Sequence, residues 1–138
     1  MKQWYEFGSY DEMYLSRKWF LQHRNMFCDN DDCCLFLGVD LSDLDVKKIK
    51  YDVAYIANIG INIVTEKAKN ILEECCKNDC ELHHISDSDL YWLEVKTVAV
   101  VRDEYVDYSG GYKSKDPCPV CGRYYSVSLG RAYNFEES

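Results

Sequence analysis

The strongest constraint on the fold is an ordered series of periodic stretches in the middle of the chain. Apolar side chains alternate with polar or small ones over residues 51–55 and 59–63, which is the period of two that a β-strand requires. Over residues 66–78 they recur at intervals of three and four, which predicts a helix with one apolar face. Residues 80–85 and 90–101 predict two more strands. This order predicts an α+β fold, in which a mostly antiparallel sheet carries helices packed on one face.

The sequence also indicates how the central helix begins and which side of it is buried. Thr65 is placed to cap its first turn, because a threonine side chain can accept from the free main-chain N–H groups there. Cys75 and Cys76 follow the apolar spacing and are predicted to be buried. Glu73 and Lys77 are predicted to form an ion pair on the solvent side.

Three weaker patterns flank this region. Ser9 and Glu12 match a capping box, which predicts a helix over residues 10–24. Leu35–Val39 predicts a short buried strand. Residues 124–130 alternate again and predict a terminal strand or hairpin.

The length and charge of the chain narrow its class. Its 138 residues suffice for one core, and no boundary is visible, so residues 1–138 are predicted to form a single domain. The net charge of −8 disfavours nucleic acid as the main partner. No membrane span is expected, because the longest uncharged stretch, Val53–Thr65, has 13 residues and a span needs about 20 apolar ones. The first residues include no apolar leader, so we expect a cytoplasmic protein.

The most specific motif is Cys118-Pro119-Val120-Cys121-Gly122, in a predicted cysteine knuckle at about residues 116–125. Two thiolates separated by two residues can hold one tetrahedral zinc ion, and the glycine lets the backbone turn tightly. Redox exchange and ordinary free thiols are the alternatives. Redox exchange is less favoured because a strand-like run follows, rather than a helix whose N-terminus would lower a thiol pKa. We therefore predict a structural zinc ion.

A closed zinc site needs four ligands, so this knuckle requires two more. Cys28 and Cys33 have workable spacing, and Cys34 could replace Cys33. Cys80 opens a predicted strand and could be a ligand or a core residue. The predicted metal ligands are Cys118, Cys121, Cys28 and Cys33.

His83 and His84 are adjacent on a predicted strand, so their side chains should point to opposite faces. One of them could complete a metal site; otherwise one is exposed and the other is satisfied near the core. A cysteine nucleophile needs a histidine within hydrogen-bond reach, and nothing in the spacing aligns such a pair. We predict no catalytic residues and a protein that is not an enzyme.

Acidic residues gather in loops outside the knuckle. Residues 1–111 hold 12 basic and 21 acidic residues, whereas residues 112–138 hold four and three. A solvated surface explains any one cluster, but acidic patches also speed association with a cationic protein. The 12 tyrosines favour the second interpretation, since tyrosine is enriched at interfaces. The predicted partner-binding residues are Asp29, Asp31, Asp32, Asp40, Asp43, Asp45, Asp87 and Asp89.

One stretch resembles a known family. Residues 61–72, Ile-Asn-Ile-Val-Thr-Glu-Lys-Ala-Lys-Asn-Ile-Leu, with Cys-Glu-Leu-His-His-Ile at residues 80–85, are similar to a segment of small bacterial immunity proteins from polymorphic-toxin systems. Some of these also carry a Cys-Pro-x-Cys-Gly knuckle, which residues 118–122 match, although relatives often have two such motifs and this chain has one. The resemblance covers about residues 55–125. It implies a cytoplasmic protein that neutralises a cognate toxin by binding it, without catalysis.

We therefore expect an immunity or antitoxin-like protein that binds a cationic toxin through an acidic, tyrosine-rich surface. The alternative is a zinc-knuckle adaptor that contacts nucleic acid or another protein. A third hypothesis is a small thiol enzyme that uses Cys118 and Cys121. A neighbouring toxin gene would favour the immunity protein, and salt-sensitive nucleic-acid binding would favour the adaptor. Activity in an insulin-reduction assay would favour the thiol enzyme.

Overall fold

The computed structural model describes residues 11–31, 33, 35–38, 40–97, 100–101, 106–107, 117–123, 128–129 and 135–136. These residues divide into two compact units. The first contains those up to Arg24 and those from Gly38 to Thr97, and the second contains those from Asn25 to Leu37 and those beyond Thr97. A single domain over residues 1–138 stays a prediction.

A five-stranded sheet forms the centre of the first unit. Its strands are β1 (Glu12–Met13), β2 (Val53–Ile56), β3 (Ile61–Thr65), β4 (Cys80–His84) and β5 (Leu90–Val95), and its helices are α1 (Arg17–Gln22) and α2 (Glu66–Cys75). The strand order is β1-β2-β3-β5-β4, and every pairing is antiparallel except that of β1 with β2. The α2 helix packs against β3, β4 and β5. The predicted α+β class with a mostly antiparallel sheet is confirmed.

The alternating residues of the middle strands form the core of this unit. β2 and β3 make a hairpin, and Gly60 in its turn has a φ of +69°, which glycine adopts without steric cost. Ala54 lies opposite Ile63, which in turn lies opposite Trp92 on β5. All three side chains are buried. The period of two in the sequence thus becomes one buried row across three strands.

The α2 helix begins where the sequence predicts and ends earlier. Thr65 Oγ1 accepts a hydrogen bond from the Ala68 N–H at 3.4 Å, so Thr65 caps the helix. The helix ends at Cys75, which is exposed, and Cys76 at its C-cap is half-buried. The prediction that these two cysteines line the buried side is wrong.

The solvent side of α2 has a different ion pair from the predicted one. Lys69 Nζ lies 2.9 Å from Glu73 Oε2, so Glu73 pairs with the lysine one turn before it rather than with Lys77. The same ammonium lies 5.1 Å from the ring centroid of Tyr91 on β5. Lys69 therefore links the helix to the sheet, which a pair confined to the outer face would not do.

The first helix is shorter than the sequence predicts. It begins at Arg17, where Ser16 Oγ accepts from the Trp19 N–H at 3.1 Å. Glu12–Met13 is strand β1 instead, paired in parallel with β2. The predicted N-terminal extension of this helix is wrong, because main-chain pairing with the sheet replaces helical bonding there. The predicted capping box begins outside the described residues.

Both α-helices of the described residues are short, and a single 3-10 turn at Arg24–Met26 follows the first. The α1 helix has 6 residues and α2 has 10. A bilayer span needs about 20. Within the described ranges, no helix is long and apolar enough to cross a membrane.

His23 follows α1 and makes polar contacts on two sides. Its Nδ1 lies 2.8 Å from the carbonyl oxygen of Trp19, and its Nε2 contacts the carboxylate of Asp43. The imidazole also stacks on the Trp19 ring, with 4.0 Å between centroids. The two oxygen acceptors favour the protonated ring and raise the pKa of His23, the main-chain contact to Trp19 contributing most.

We expect His23 to make stability depend on pH in one direction. Because its folded pKa is raised, its stabilising contribution is full below pH about 6.5, the ordinary histidine value, and is lost as pH rises through the folded pKa. His23→Gln should remove this part of the pH dependence, and Asp43→Asn should reduce it. Urea unfolding on both sides of neutral pH measures the effect. An unchanged pH dependence in His23→Gln would contradict it.

The second unit contains three short antiparallel pairings among its described residues. Phe27 and Phe36 form an isolated bridge, with ring centroids 5.4 Å apart. The remaining strands are β6 (Val100–Val101), β7 (Val106–Asp107), β8 (Ser128–Leu129) and β9 (Phe135–Glu136). β6 pairs with β9, and β7 pairs with β8.

These pairings change three strand predictions. The stretch predicted as one strand over residues 90–101 contains two strands, β5 and β6. The strand predicted at Leu35–Val39 is reduced to the bridge at Phe36, and Val39 lies outside the described residues. Of residues 124–130, β8 is a strand as predicted, and the rest also lie outside the described residues.

Candidate metal centre

Four cysteines from two loops of the second unit lie close together. Every pair of their sulfur atoms is within 4.8 Å. Cys28, Cys33 and Cys118 are buried, and Cys121 is half-buried. The structure thus brings together the four residues that the sequence predicts as metal ligands, although Cys28 and Cys33 are far from the knuckle along the chain.

The distances between sulfur atoms suit tetrahedral coordination. Cys28 Sγ lies 3.7 Å from Cys118 Sγ, and Cys33 Sγ lies 3.8 Å from Cys121 Sγ. Zinc–sulfur bonds of about 2.3 Å in a tetrahedron place the sulfur atoms about 3.8 Å apart, whereas a disulfide holds them at about 2.05 Å. The four free thiols therefore offer both the donors and the spacing of a four-thiolate metal site.

The knuckle has the tight turn that its glycine predicts. The Gly122 N–H donates to the Cys118 carbonyl at 2.8 Å, and the Cys118 N–H donates to the Arg123 carbonyl at 2.9 Å. Gly122 has a φ of +71°, and a Cβ atom there would meet nothing within 4 Å. The backbone angle, rather than lack of space, explains the glycine.

The loop that supplies the other two cysteines is held by its own main chain. The Cys28 N–H donates to the Leu35 carbonyl at 2.8 Å, and the Cys33 N–H donates to the Asn30 carbonyl at 2.9 Å. The Asn30 side-chain amide also donates to Cys118 Sγ at 3.5 Å. Sequence reasoning missed Asn30, because no spacing rule marks an amide that supports a sulfur from a distant loop.

Burial and hydrogen bonding act on these thiols in opposite directions. The main-chain N–H groups of Cys121 and Val120 donate to the Cys118 sulfur and lower its pKa to about 6. Burial raises the pKa of Cys33 to about 12, and it also raises the pKa of Cys28. A cation between the sulfurs would offset the desolvation that opposes ionisation of the two buried thiols.

Among the described residues, the other cysteines do not belong to this group. Cys75, Cys76 and Cys80 belong to the first unit. The Cys80 thiol donates to the Cys76 carbonyl at 3.5 Å, and burial raises its pKa. Cys34, considered as a substitute for Cys33, lies outside the described residues.

The two histidines of β4 point to opposite faces of the sheet, as predicted. His83 Nε2 lies 2.7 Å from Glu94 Oε2, and its ring stacks on Trp92 with 4.2 Å between centroids. His84 Nε2 lies 2.7 Å from the Ser88 carbonyl. Each histidine therefore has a partner within the first unit.

His83 belongs to an ion-pair network that sequence reasoning missed. The side chains of Glu81, His83 and Glu94 approach closely enough to hold a metal ion. However, Lys96 Nζ lies 2.9 Å from carboxylate oxygens of both glutamates. Lys96 and His83 together lower the pKa of Glu94. A lysine ammonium thus already balances these carboxylates, and we assign the group as an ion-pair network.

The predicted partner-binding aspartates at positions 40, 43 and 45 are exposed but have intramolecular partners. Asp40 Oδ1 accepts from the Ser42 N–H at 3.0 Å. Asp43 contacts His23, and Asp45 accepts from the Ser16 hydroxyl. These carboxylates therefore help to hold the first unit together.

The other predicted aspartates lie in two further loops. Asp29 and Asp31 are exposed in the metal loop between Cys28 and Cys33, and Asp32 lies outside the described residues. Asp87 and Asp89 are exposed in the turn between β4 and β5, and Asp87 has a φ of +57°. The aspartates predicted to bind a partner, where the structure describes them, thus belong to two different units.

Comparison with known proteins identifies no relative. No protein-family model, no curated protein and no solved structure matches this chain. The resemblance to immunity proteins accordingly stays an expectation, and the candidate metal centre rests on its own geometry.

Proposed function

We propose that Cys28, Cys33, Cys118 and Cys121 bind one zinc ion that stabilises the second unit. The support is the set of four sulfur atoms within 4.8 Å of one another, three of them in buried residues. Soft thiolate donors in a tetrahedral arrangement favour zinc among common cellular cations. All four coordination positions would come from the protein, so this ion has a structural role rather than a catalytic one.

Elemental analysis of the full chain, purified without added metal, tests the ligand set. We expect about one zinc per chain, as a closed four-ligand site requires. A content below about 0.2 zinc per chain, together with reaction of all eight cysteines with a thiol reagent, would reject the site. About one iron per chain instead would keep the ligand set and reject zinc as its metal.

We further propose that the protein is an immunity or antitoxin-like factor that neutralises a cationic bacterial toxin by direct binding. The observation that carries this proposal is a strongly acidic chain whose described carboxylates at Asp29, Asp31, Asp87 and Asp89 are exposed. Tyr14 and Tyr51 are 68% and 55% exposed and add aromatic contact area. The resemblance of residues 61–72 and 80–85 to immunity proteins supports the same function.

Capture of partners from the native host, followed by mass spectrometry, tests this function. A basic toxin domain should be among the captured proteins, and titration of its activity should saturate near one chain per toxin. Inactivation of excess toxin by far less of this protein would mean that it is an enzyme. Salt-sensitive capture of nucleic acid in place of a protein would favour the zinc-knuckle adaptor.

We predict that the acidic metal loop accelerates association with the toxin. Asp29, Asp31 and Asp32, all changed to Asn, should slow association about tenfold at low salt, because long-range attraction steers a cationic partner. The difference should shrink as added salt screens the charges. Stopped-flow or surface-based kinetics measure both rates.

The matched control removes three charges from α2, by changing Glu66, Glu73 and Glu74 to Gln. If net charge alone mattered, both variants would associate equally slowly with the toxin. If the interface is at the metal loop, only the variant with Asp29, Asp31 and Asp32 changed should associate more slowly. Equal association rates for the loop variant and the unchanged protein would place the interface elsewhere, and Asp87 and Asp89 would be examined next.

A further inference from the structure

β4 is one of the two edge strands of the sheet and has main-chain groups that face away from β5. The Lys96 N–H donates to the Asp79 carbonyl, and the Ile85 N–H donates to the Leu90 carbonyl, so hydrogen-bonded pairs flank the ladder at both ends. Hydrogen-bonded and non-bonded pairs alternate in an antiparallel ladder. Glu81 and His83 therefore bond to β5. The alternate residues of β4 have main-chain groups that point to the free edge of the sheet. These residues are Cys80, Leu82 and His84.

One of these outward groups is already used. The Cys80 N–H donates to the Cys76 carbonyl at 3.2 Å, which closes the connection from α2. No strand in the described part of the chain pairs with the outer side of β4. The outward N–H and C=O groups of Leu82 and His84 thus form an edge on which another strand can be added.

We propose that β4 pairs with β4 of a second copy of this chain, antiparallel and centred on Leu82. In this register Leu82 exchanges two main-chain hydrogen bonds with its own counterpart. Cys80 lies opposite His84 of the second copy, and the His84 N–H donates to the Cys80 carbonyl. The two five-stranded sheets then become one continuous sheet with two-fold symmetry.

The charges along β4 select this register. Centring on Leu82 places Glu81 opposite His83 of the second copy, twice by symmetry, in a non-hydrogen-bonded pair where side chains are closest. A register centred on Glu81 would oppose two glutamates, and one centred on His83 would oppose two histidines. Two carboxylates directly opposite one another are destabilising, and two opposed imidazoles leave each Glu81 without an imidazole opposite it, so the pattern Glu-Leu-His is self-complementary only about its central residue.

The side chains that make these contacts are accessible and already oriented. The Glu81 side chain is 57% exposed and is held by Lys96 at 2.9 Å, and the His83 side chain is 35% exposed and is held by Glu94 at 2.7 Å. Little rotational freedom is lost when such side chains meet. The edge is nevertheless only five residues long, and so the dimer should be weak and dependent on concentration.

Sedimentation velocity of the full chain over a range of concentrations tests the proposal. The unchanged protein should pass from monomer to dimer as concentration rises. Leu82→Pro removes an N–H that faces the free edge, so the β4–β5 ladder should survive while two inter-copy hydrogen bonds are lost. We expect the dissociation constant to rise at least about tenfold.

Leu82→Ala is the matched control, because it removes the same side chain and keeps the N–H. It should dimerise much more tightly than Leu82→Pro. Equal dissociation constants for these two variants, or a monomer at every concentration of the unchanged protein, would overturn the proposal.

A charge exchange tests the register even if the proline variant fails to fold. Glu81→Lys should weaken the dimer because it removes the carboxylate opposite His83, whereas Glu66→Lys, with the same charge change on α2, should not. Adding His83→Glu to Glu81→Lys should restore dimerisation, because each Lys again meets a Glu. A dimer that is indifferent to Glu81→Lys would refute the register.

Discussion

Cys118→Ser should abolish the proposed zinc binding and unfold the second unit while leaving the sheet of the first unit formed. A serine hydroxyl does not ionise near neutral pH, so the site keeps three thiolate ligands and an incomplete tetrahedron. Removing a residue that only supports a metal ligand lowers metal affinity by up to about 100-fold. Removing a ligand itself should therefore lower the affinity by more than about 100-fold. Competition with a chromogenic chelator measures the affinity, and NMR spectra report on each unit separately.

Cys75→Ser is the matched control for this change, since Cys75 is exposed and does not belong to the metal group. It should retain the metal and both sets of resonances. If the Cys118 and Cys75 variants bound metal equally well, the four-cysteine site would be refuted.

Ile63→Ala should destabilise the first unit by about 3 to 4 kcal/mol. Ile63 lies on the central strand β3, is completely buried, and packs in the row with Ala54 and Trp92. Truncation removes three buried carbon atoms and leaves a cavity that β-sheet neighbours cannot easily collapse to fill. Urea unfolding followed by Trp fluorescence measures the change in free energy.

Ile71→Ala on α2 is the comparison, because Ile71 is 53% exposed although the helical period marks it as apolar. Its cost should be below about 1 kcal/mol, as is usual at exposed positions. A similar cost at both positions would mean that the buried row of β3 is not the centre of the core.

The elements that could be predicted from the sequence are those whose pattern is local. The sequence predicts the strands β2 and β3 because each has an alternating pattern of period two within a few residues. It predicts α2 because a helical pattern follows the capping residue Thr65. The α+β class follows from the order of those elements. The cysteine knuckle could be predicted for the same reason, since Cys118, Cys121 and Gly122 are close neighbours in the chain.

The elements that could not be predicted depend on contacts between distant residues. β1 exists because its backbone pairs with β2, about forty positions later, and this contact overrides the helical pattern around it. Cys75 and Cys76 have helical spacing, but the helix ends there, and exposure depends on what lies opposite. Asn30 and Lys96 could not be identified because each acts on a residue that only the fold brings near.

The separation of the two cysteine loops gives an order to events on the ribosome. Cys28 and Cys118 are 90 positions apart in the sequence, and Cys33 and Cys121 are 88 positions apart. Translation at about 5 to 20 residues per second delays the second pair by roughly 4 to 18 s. Four of the five strands of the first unit, β2 to β5, emerge within that interval, and β1 emerges before it. The sheet can therefore form co-translationally while the nascent chain carries two unmatched thiols, and the zinc binding proposed above would be the late event that ends their exposure to oxidants.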